Sequence, residues 1–143
     1  MDAKEAPINF DLQRFVDAQE AIFGTVISEL NAGRKQKHWM WYIFPQIKGL
    51  GQSPNSLKYS LASKEEAIAY LSHEILGNRL RKCTELVLEA QGTITQILGE
   101  DDVKFKSSMT LFNAVLPNSI FRQALEKYYN GEEDPLTIEL LST

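Results

Sequence analysis

The sequence predicts a single globular all-α domain of about six or seven helices, with one irregular basic and aromatic segment. Apolar residues recur every three or four positions through most of the chain after residue 10, which is the spacing of one helix face. Capping residues, glycine or proline bound these stretches. The chain has 143 residues, 43% of them hydrophobic, and is therefore long enough for one core. We expect a disordered or extended tail over residues 1–9 and the domain over 10–143.

The first helix is predicted over residues 12–32, between a cap at Asp11 and a stop at Gly33. Gln19 lies on its apolar stripe, so its side chain is expected to bond a neighbouring backbone group. The stretch that follows lacks a clean period. Its nearly apolar part, His38–Phe44, suits a short helix or a strand, and a helical turn is favoured because no second strand candidate exists.

The later helices are predicted from their caps. Ser63 and Glu66 form a capping box, in which each side chain satisfies the backbone amide of the other. A longer helix follows from about Glu74 to Gln91, and one further turn is expected over Thr93–Leu98. The last three helices are expected to begin at Asp101–Asp102, at a cap on Asn118, and at Asp134–Pro135. The helix after Asp102 has a stripe predicted to be buried: Phe105, Met109, Phe112 and Leu116.

Charge is distributed unevenly along the chain, whose net charge is −4. No Asp or Glu occurs between Leu30 and Lys64. Six basic residues lie in this stretch: Arg34, Lys35, Lys37, Lys48, Lys58 and Lys64. The pattern predicts a locally positive surface on an acidic body, able to attract an anion.

The predicted functional site is the segment from Arg34 to Gly51, which contains both tryptophans, Trp39 and Trp41, and His38. In one interpretation the indoles stack on a ring, cations hold a phosphate or carboxylate, and His38 acts as general acid or base. In the other, the aromatic residues fill the core and the lysines are solubilising surface. The sequence leaves both open. The candidate ligand-binding residues are Arg34, Lys35, Trp39, Trp41, Gln46, Ser53, Arg79, Lys104 and Ser108.

Other candidate residues also have alternatives. Arg79, at the edge of a buried face, is expected either to bind an anion or to pair with a carboxylate. Lys104 and Ser108, on the first turns of a helix, either help to complete an anion site, or the small hydroxyl residues of these turns serve to let helices approach closely. His73, the second histidine, is expected to cap a helix or lie at the surface rather than share acid–base work with His38.

Several classes of function are not expected. Cys83 lies on an apolar helix face, and one Cys with two separated His residues gives no metal site. Phosphate-loop, dinucleotide-binding and serine-nucleophile motifs are missing, so no cofactor is expected. No apolar run approaches the roughly 18 residues of a membrane span. A lone cysteine fits a reducing compartment, and we expect a cytoplasmic protein without a membrane partner.

The chain resembles a bacterial family catalogued as domain of unknown function 1810, over residues from Phe10 to about Leu141. Among the runs that carry the resemblance are Gly33-Arg34-Lys35-x-x-His38-Trp39-Met40-Trp41-x-Ile43-Phe44-Pro45-Gln46 and Leu76-Gly77-x-Arg79-Leu80. The family implies no established activity and no agreed catalytic residues. Some members bear the label calpastatin, which we discount because such inhibitors are disordered and poor in aromatic residues, whereas 10% of this chain is aromatic.

Two functions are compatible with the sequence. The first is a pocket for a nucleotide or another phosphorylated or anionic small molecule, with acid–base catalysis by His38 if the protein is an enzyme. The second is a non-catalytic module whose basic aromatic surface docks nucleic acid or an acidic protein partner. The overall negative charge disfavours tight binding of nucleic acid. Neither the oligomeric state nor the identity of the ligand follows from the sequence.

Overall fold

The computed structural model describes residues 10–142 and shows one all-α domain, as predicted. Its helices are α1 (Gln13–Glu20), α2 (Phe23–Asn31), α3 (Met40–Ile43), α4 (Pro54–Lys58), α5 (Lys64–Ser72), α6 (Glu74–Glu89), α7 (Ile94–Leu98), α8 (Asp102–Val115), α9 (Ile120–Tyr129) and α10 (Pro135–Leu141). A 3-10 turn, Gly99–Asp101, joins α7 to α8. Within residues 10–142 the strand-type pairing is limited to an isolated parallel bridge between Ile47 and Leu61.

Helix α8 is the centre of the domain. Residues 107–113 are all buried, because α8 packs against α5, α7, α9 and α10. Aromatic rings of α8 take part in this packing. Between ring centroids, Phe112 lies 5.6 Å from Phe121 and 5.7 Å from Tyr70. Phe105 lies 5.0 Å from Phe44 in an edge-on arrangement. The first turn of α8 emerges from this core at the surface, where the candidate site lies.

The single helix predicted over 12–32 is wrong, because the chain breaks into α1 and α2 at Ala21 and Ile22. The Ile22 amide donates to the Gln19 carbonyl at 3.1 Å, three residues back, which tightens the turn. A β-branched residue and Gly24, both poor helix formers, coincide with the break. Asp11 does not cap α1, since Leu12 occupies that position. The role of Gln19 is confirmed: its Nε2 donates to the Tyr42 carbonyl at 2.6 Å.

The capping box at α5 forms only in half. The Ser63 hydroxyl accepts from the Glu66 amide at 3.1 Å, as predicted. The Glu66 carboxylate instead accepts from the Ala62 amide at 2.7 Å and pairs with Arg14 at 3.1 Å. Glu66 is buried, and the Ala62 amide and Arg14 together satisfy both of its carboxylate oxygens.

The ends of α8 and α9 also differ from the prediction. Leu116, predicted as the last buried residue of a stripe, is 40% exposed because α8 ends at Val115. Asn118 has a φ of 58°, in the left-handed region, and does not cap α9. The cap is Ser119, whose hydroxyl accepts from the Phe121 amide at 3.4 Å. The cap on α10 is confirmed, since Asp134 accepts from the Thr137 amide at 3.2 Å.

Helices α5 and α6 meet at Gly77 without room for a side chain. A Cβ at Gly77 would fall on the carbonyl oxygen of Leu71, whereas one at Gly24 in α2 would meet open space. We expect Gly77→Ala to lower the free energy of unfolding by about 1–3 kcal/mol, because the helix backbones must move apart. The matched change Gly24→Ala should raise it by about 0.5–1 kcal/mol, since alanine favours a helix. Urea denaturation checks both, and an equal effect at the two glycines would contradict this packing.

None of the helices within residues 10–142 is long and apolar enough to cross a membrane.

Candidate functional site

Glu29, at the end of α2, accepts hydrogen bonds from the backbone and from one indole of the segment that contains the two tryptophans. Its Oε1 accepts from the amides of Gln36 at 2.7 Å and Lys37 at 3.1 Å, and from the Trp39 indole at 2.9 Å. Burial acts to raise the pKa of Glu29, but these three N–H groups and the Lys35 charge hold it below its ordinary value. This one buried carboxylate therefore holds the backbone that leads from α2 into α3 in place.

The two tryptophans have different environments. Trp39 is fully buried, with Phe44 next to it at 6.3 Å between ring centroids, and its indole N–H is used by Glu29. Trp41 is only partly buried, and its ring lines a surface pocket. Its Nε1 is buried without a hydrogen-bond partner in the described part of the chain. Trp39 is thus a core residue, and Trp41 is the aromatic wall of a cavity.

Asp101 connects the basic segment to the start of α8. Its carboxylate pairs with Lys35 at 2.7 Å and with Lys104 at 2.9 Å. Lys35 lies 5.1 Å from the centroid of the Trp39 ring, and Lys104 lies 5.9 Å from that of Trp41. Burial acts to raise the pKa of Asp101, but hydrogen bonds and charges from the two lysines hold it below its ordinary value. Asp101 therefore makes no cap bond at α8, unlike the prediction, because the lysines occupy it.

The pocket at Trp41 has a volume of about 340 Å³. On one side it is lined by α3 and by the segment between α3 and α5: Trp41, Gln46, Ile47, Leu50, Gly51, Ser56, Tyr59 and Ser60. On the other side it is lined by the 3-10 turn, α8 and the start of α10: Glu100, Val103, Lys104, Ser107, Asp134 and Leu136. The lining combines an aromatic wall, hydroxyl and amide groups, two carboxylates and one amine, which is a set able to bind a small polar ring compound.

The rim of the pocket is apolar. Val103 is 66% exposed and Leu136 is 45% exposed, although both are large hydrophobic side chains. Val103 and Ser107 follow one another at four-residue spacing on α8, so they share a helix face. These two side chains add exposed apolar surface to the lining of the pocket.

Of the predicted site residues, the structure brings three to this pocket: Trp41, Gln46 and Lys104. His38 is exposed and is not part of the lining, and its carbonyl accepts from the Tyr42 hydroxyl at 3.1 Å. Ser53 caps α4, where its hydroxyl accepts from the Ser56 amide at 3.1 Å. For these two residues a role at the pocket remains a prediction without a contact to support it.

The other predicted residues also lie away from the lining. Arg34 is exposed, and the amine of Lys35 is held by Asp101. Ser108 is fully buried in α8, and its hydroxyl has no partner among the described residues. Arg79 pairs with Glu20 at 3.5 Å and lies over the Phe23 ring at 4.6 Å, which confirms the ion-pair alternative.

The remaining candidates have structural roles. The Nδ1 of His73 accepts from the amides of Ile75 and Leu76, both at 3.2 Å, so the cap predicted there is confirmed. Cys83 is buried as expected, and burial raises the pKa of its thiol to about 12. Across residues 10–142, no group of three or more His, Cys, Asp or Glu side chains is arranged to hold a metal ion.

Comparison with known proteins agrees with the resemblance in the sequence. A family model described as "Protein of unknown function (DUF1810)" matches residues 9–141. The chain belongs to this family. A crystal structure of the conserved hypothetical protein Rv1873 from Mycobacterium tuberculosis is similar, with 51% sequence identity and a TM-score of 0.91, over 94% of this chain and 98% of that one. No curated protein matches.

In this DUF1810 chain, sequence reasoning missed most of the pocket wall. Asp134 is recognisable in the sequence as a helix cap. Its hydrogen bond from the Ser107 hydroxyl, 3.0 Å long, joins residues 27 positions apart and depends on tertiary packing. Tyr59 and Ser60 lie in a loop without periodicity, so the sequence gives no signal for them. Val103 gave no usable signal either, since Phe105 also lies between charged residues near the start of this helix and is fully buried.

Proposed function

We propose that this protein binds a small molecule containing a planar ring in the pocket at Trp41. The observation that carries the proposal is the position of the Trp41 indole, which forms a wall of a cavity while the neighbouring Trp39 is enclosed in the core. Stacking of a ring on an aromatic side chain contributes about 1–3 kcal/mol. The cavity of about 340 Å³ lies within the usual range of small-molecule sites.

The charged side chains at the pocket define how an anionic group would be held. Lys104 is the basic residue of the pocket lining. It pairs with Asp101, which also pairs with Lys35, so the two lysines and the aspartate together carry one positive charge. A nucleotide or another phosphorylated or anionic small molecule, the class predicted from the basic segment, would place its acceptor at Lys104. No reaction is assigned, because His38 lies outside the lining.

A thermal-shift screen against nucleosides, nucleotides and phosphorylated metabolites tests this proposal. A ligand at 100 times its Kd stabilises the fold by about 2.7 kcal/mol, which raises the Tm by roughly 5–10 °C. We expect Trp41→Ala to abolish the shift and Trp41→Phe to keep part of it, since phenylalanine retains a ring. His38→Ala is the matched control and should leave the shift unchanged. A panel without any hit, or a shift undiminished in Trp41→Ala, would overturn the proposal.

A second candidate function is a docking surface for nucleic acid or an acidic protein partner. It is favoured by exposed basic side chains that form no ion pair within residues 10–142: Arg34, Lys37, Lys48, Lys58 and Lys64. The two functions respond differently to salt. Docking of nucleic acid should weaken by orders of magnitude between about 50 and 200 mM salt, whereas a ring bound in the pocket should be little affected.

A further inference from the structure

Asp134 is one of the two acidic residues that line the pocket. Its Oδ2 accepts from the Ser107 hydroxyl at 3.0 Å, from the Thr137 amide at 3.2 Å and from the Thr137 hydroxyl. Its Oδ1 has no hydrogen bond among the described residues, although the side chain lines the cavity. An ionised carboxylate only accepts hydrogen bonds, so its partner in a ligand must carry hydroxyl or amino hydrogens.

The rest of the polar lining supports hydroxyl recognition. Tyr59 lines the pocket, and its hydroxyl has no hydrogen bond in the part of the chain that the structure describes. Ser60 and Gln46 add a hydroxyl and an amide to the same lining. Tyr59 and Gln46 can both donate and accept, whereas the Ser60 hydroxyl already donates to the Leu57 carbonyl at 3.1 Å and can only accept from a ligand. The three groups therefore complement hydroxyl groups of a ligand without requiring a charge.

The balance of charge disfavours a phosphate. The lining contains two carboxylates, Glu100 and Asp134, against the single amine of Lys104, and Asp101 already neutralises much of that amine. A phosphate monoester carries about −1.5 to −2 charges at neutral pH, and it would be repelled by both carboxylates. Within this small cavity an uncharged ligand meets less repulsion than its phosphorylated form.

Resting on the ring-binding function proposed above, we propose that the ligand is a ribonucleoside rather than a nucleotide. The planar base stacks on Trp41, and the vicinal hydroxyls of the ribose donate to Asp134. A carboxylate that accepts from ribose hydroxyls is a recurring means of recognising this sugar. Lys104 faces an acceptor atom of the base.

Isothermal titration of the full chain with adenosine, guanosine, cytidine and uridine tests this inference, with the 2′-deoxynucleoside and the 5′-monophosphate of each for comparison. We expect one ribonucleoside to bind, and its deoxy and phosphorylated forms to bind at least tenfold more weakly. Asp134→Asn should weaken the ribonucleoside at least tenfold and the deoxynucleoside by a smaller factor, because the deoxy sugar has only its 3′-hydroxyl to donate. Asparagine caps a helix as well as aspartate, so α10 should persist, and circular dichroism checks this.

The possible failures of the two proposals are distinguishable. A ligand that binds in a Trp41-dependent way but is insensitive to the 2′-hydroxyl and to Asp134→Asn overturns the ribonucleoside and leaves the ring-binding function standing. Tighter binding of the 5′-monophosphate than of the nucleoside likewise overturns the inference and supports an anionic ligand. Binding that survives in Trp41→Ala overturns both.

Discussion

Replacing Arg14 with methionine is expected to lower the free energy of unfolding by about 3–5 kcal/mol, because it leaves the buried Glu66 carboxylate without its cation. The Glu66 side chain is only 4% exposed and lies 3.1 Å from Arg14 Nη1. The guanidinium also donates to the carbonyls of Lys58 at 2.7 Å and Ser60 at 2.8 Å. Methionine keeps much of the apolar stem, so the loss reports the charge and its hydrogen bonds. Urea denaturation at pH 7 measures it.

A matched surface change provides the control for Arg14. Arg122 pairs with Glu126 at 3.9 Å, and both side chains are largely exposed. Arg122→Met should therefore change the free energy of unfolding by at most about 0.5 kcal/mol. In a Glu66→Gln background, Arg14→Met should cost less than it does alone, because no buried charge remains. Equal losses for Arg14→Met and Arg122→Met would contradict the role given to this pair.

Replacing Glu29 with alanine is expected to lower the free energy of unfolding by about 2–4 kcal/mol, since the buried Trp39 indole N–H loses its acceptor. The amides of Gln36 and Lys37 lose the same oxygen, so the basic segment should also loosen. The comparison is Glu85→Ala on the exposed face of α6, which should change stability by no more than about 0.5 kcal/mol. A Glu29 variant as stable as the Glu85 variant would show that this carboxylate does not hold the segment.

The contribution of Glu29 should also depend on pH. Its pKa is held below the ordinary value in the folded state, so its stabilisation is present above the unfolded pKa and is lost as the pH falls through the folded one. The difference in stability between the native chain and Glu29→Gln should therefore be largest above the ordinary glutamate pKa and shrink as the pH falls below it. Denaturation curves at pH values above and below this pKa measure the difference, and a constant gap would contradict the shifted pKa.

The fold class could be predicted from the sequence because most helices have one apolar and one polar face, which gives the apolar residues a helical spacing. The stripe of α6 and the caps at Ser63, His73 and Asp134 are local signals, and each lies where it was predicted. The break after Ala21 was not predictable in this way, because the apolar stripe of α1 continues in register into α2. The spacing of apolar residues in the sequence indicates which residues are buried, but it does not indicate where the backbone bends between them.

The candidate site was predictable only in part, for a related reason. Trp39 and Trp41 are two positions apart and chemically identical, so the sequence does not distinguish core from pocket. What separates them is Glu29, ten residues earlier, which draws one indole inward by a tertiary hydrogen bond. Asp134 reaches the same cavity from the opposite end of the chain. The segment from Arg34 to Gly51 thus contributes only part of the pocket lining, and the rest comes from residues that no local pattern connects.

Tryptophan fluorescence tests the central claim most directly, because the chain has only two tryptophans and only Trp41 lines the pocket. Titrating the native chain with the ligand from the thermal-shift screen should produce a saturable change in emission. In Trp41→Phe the ligand should still raise the Tm, while the emission of the enclosed Trp39 stays constant. An emission change in Trp41→Phe as large as in the native chain would contradict a binding site at Trp41.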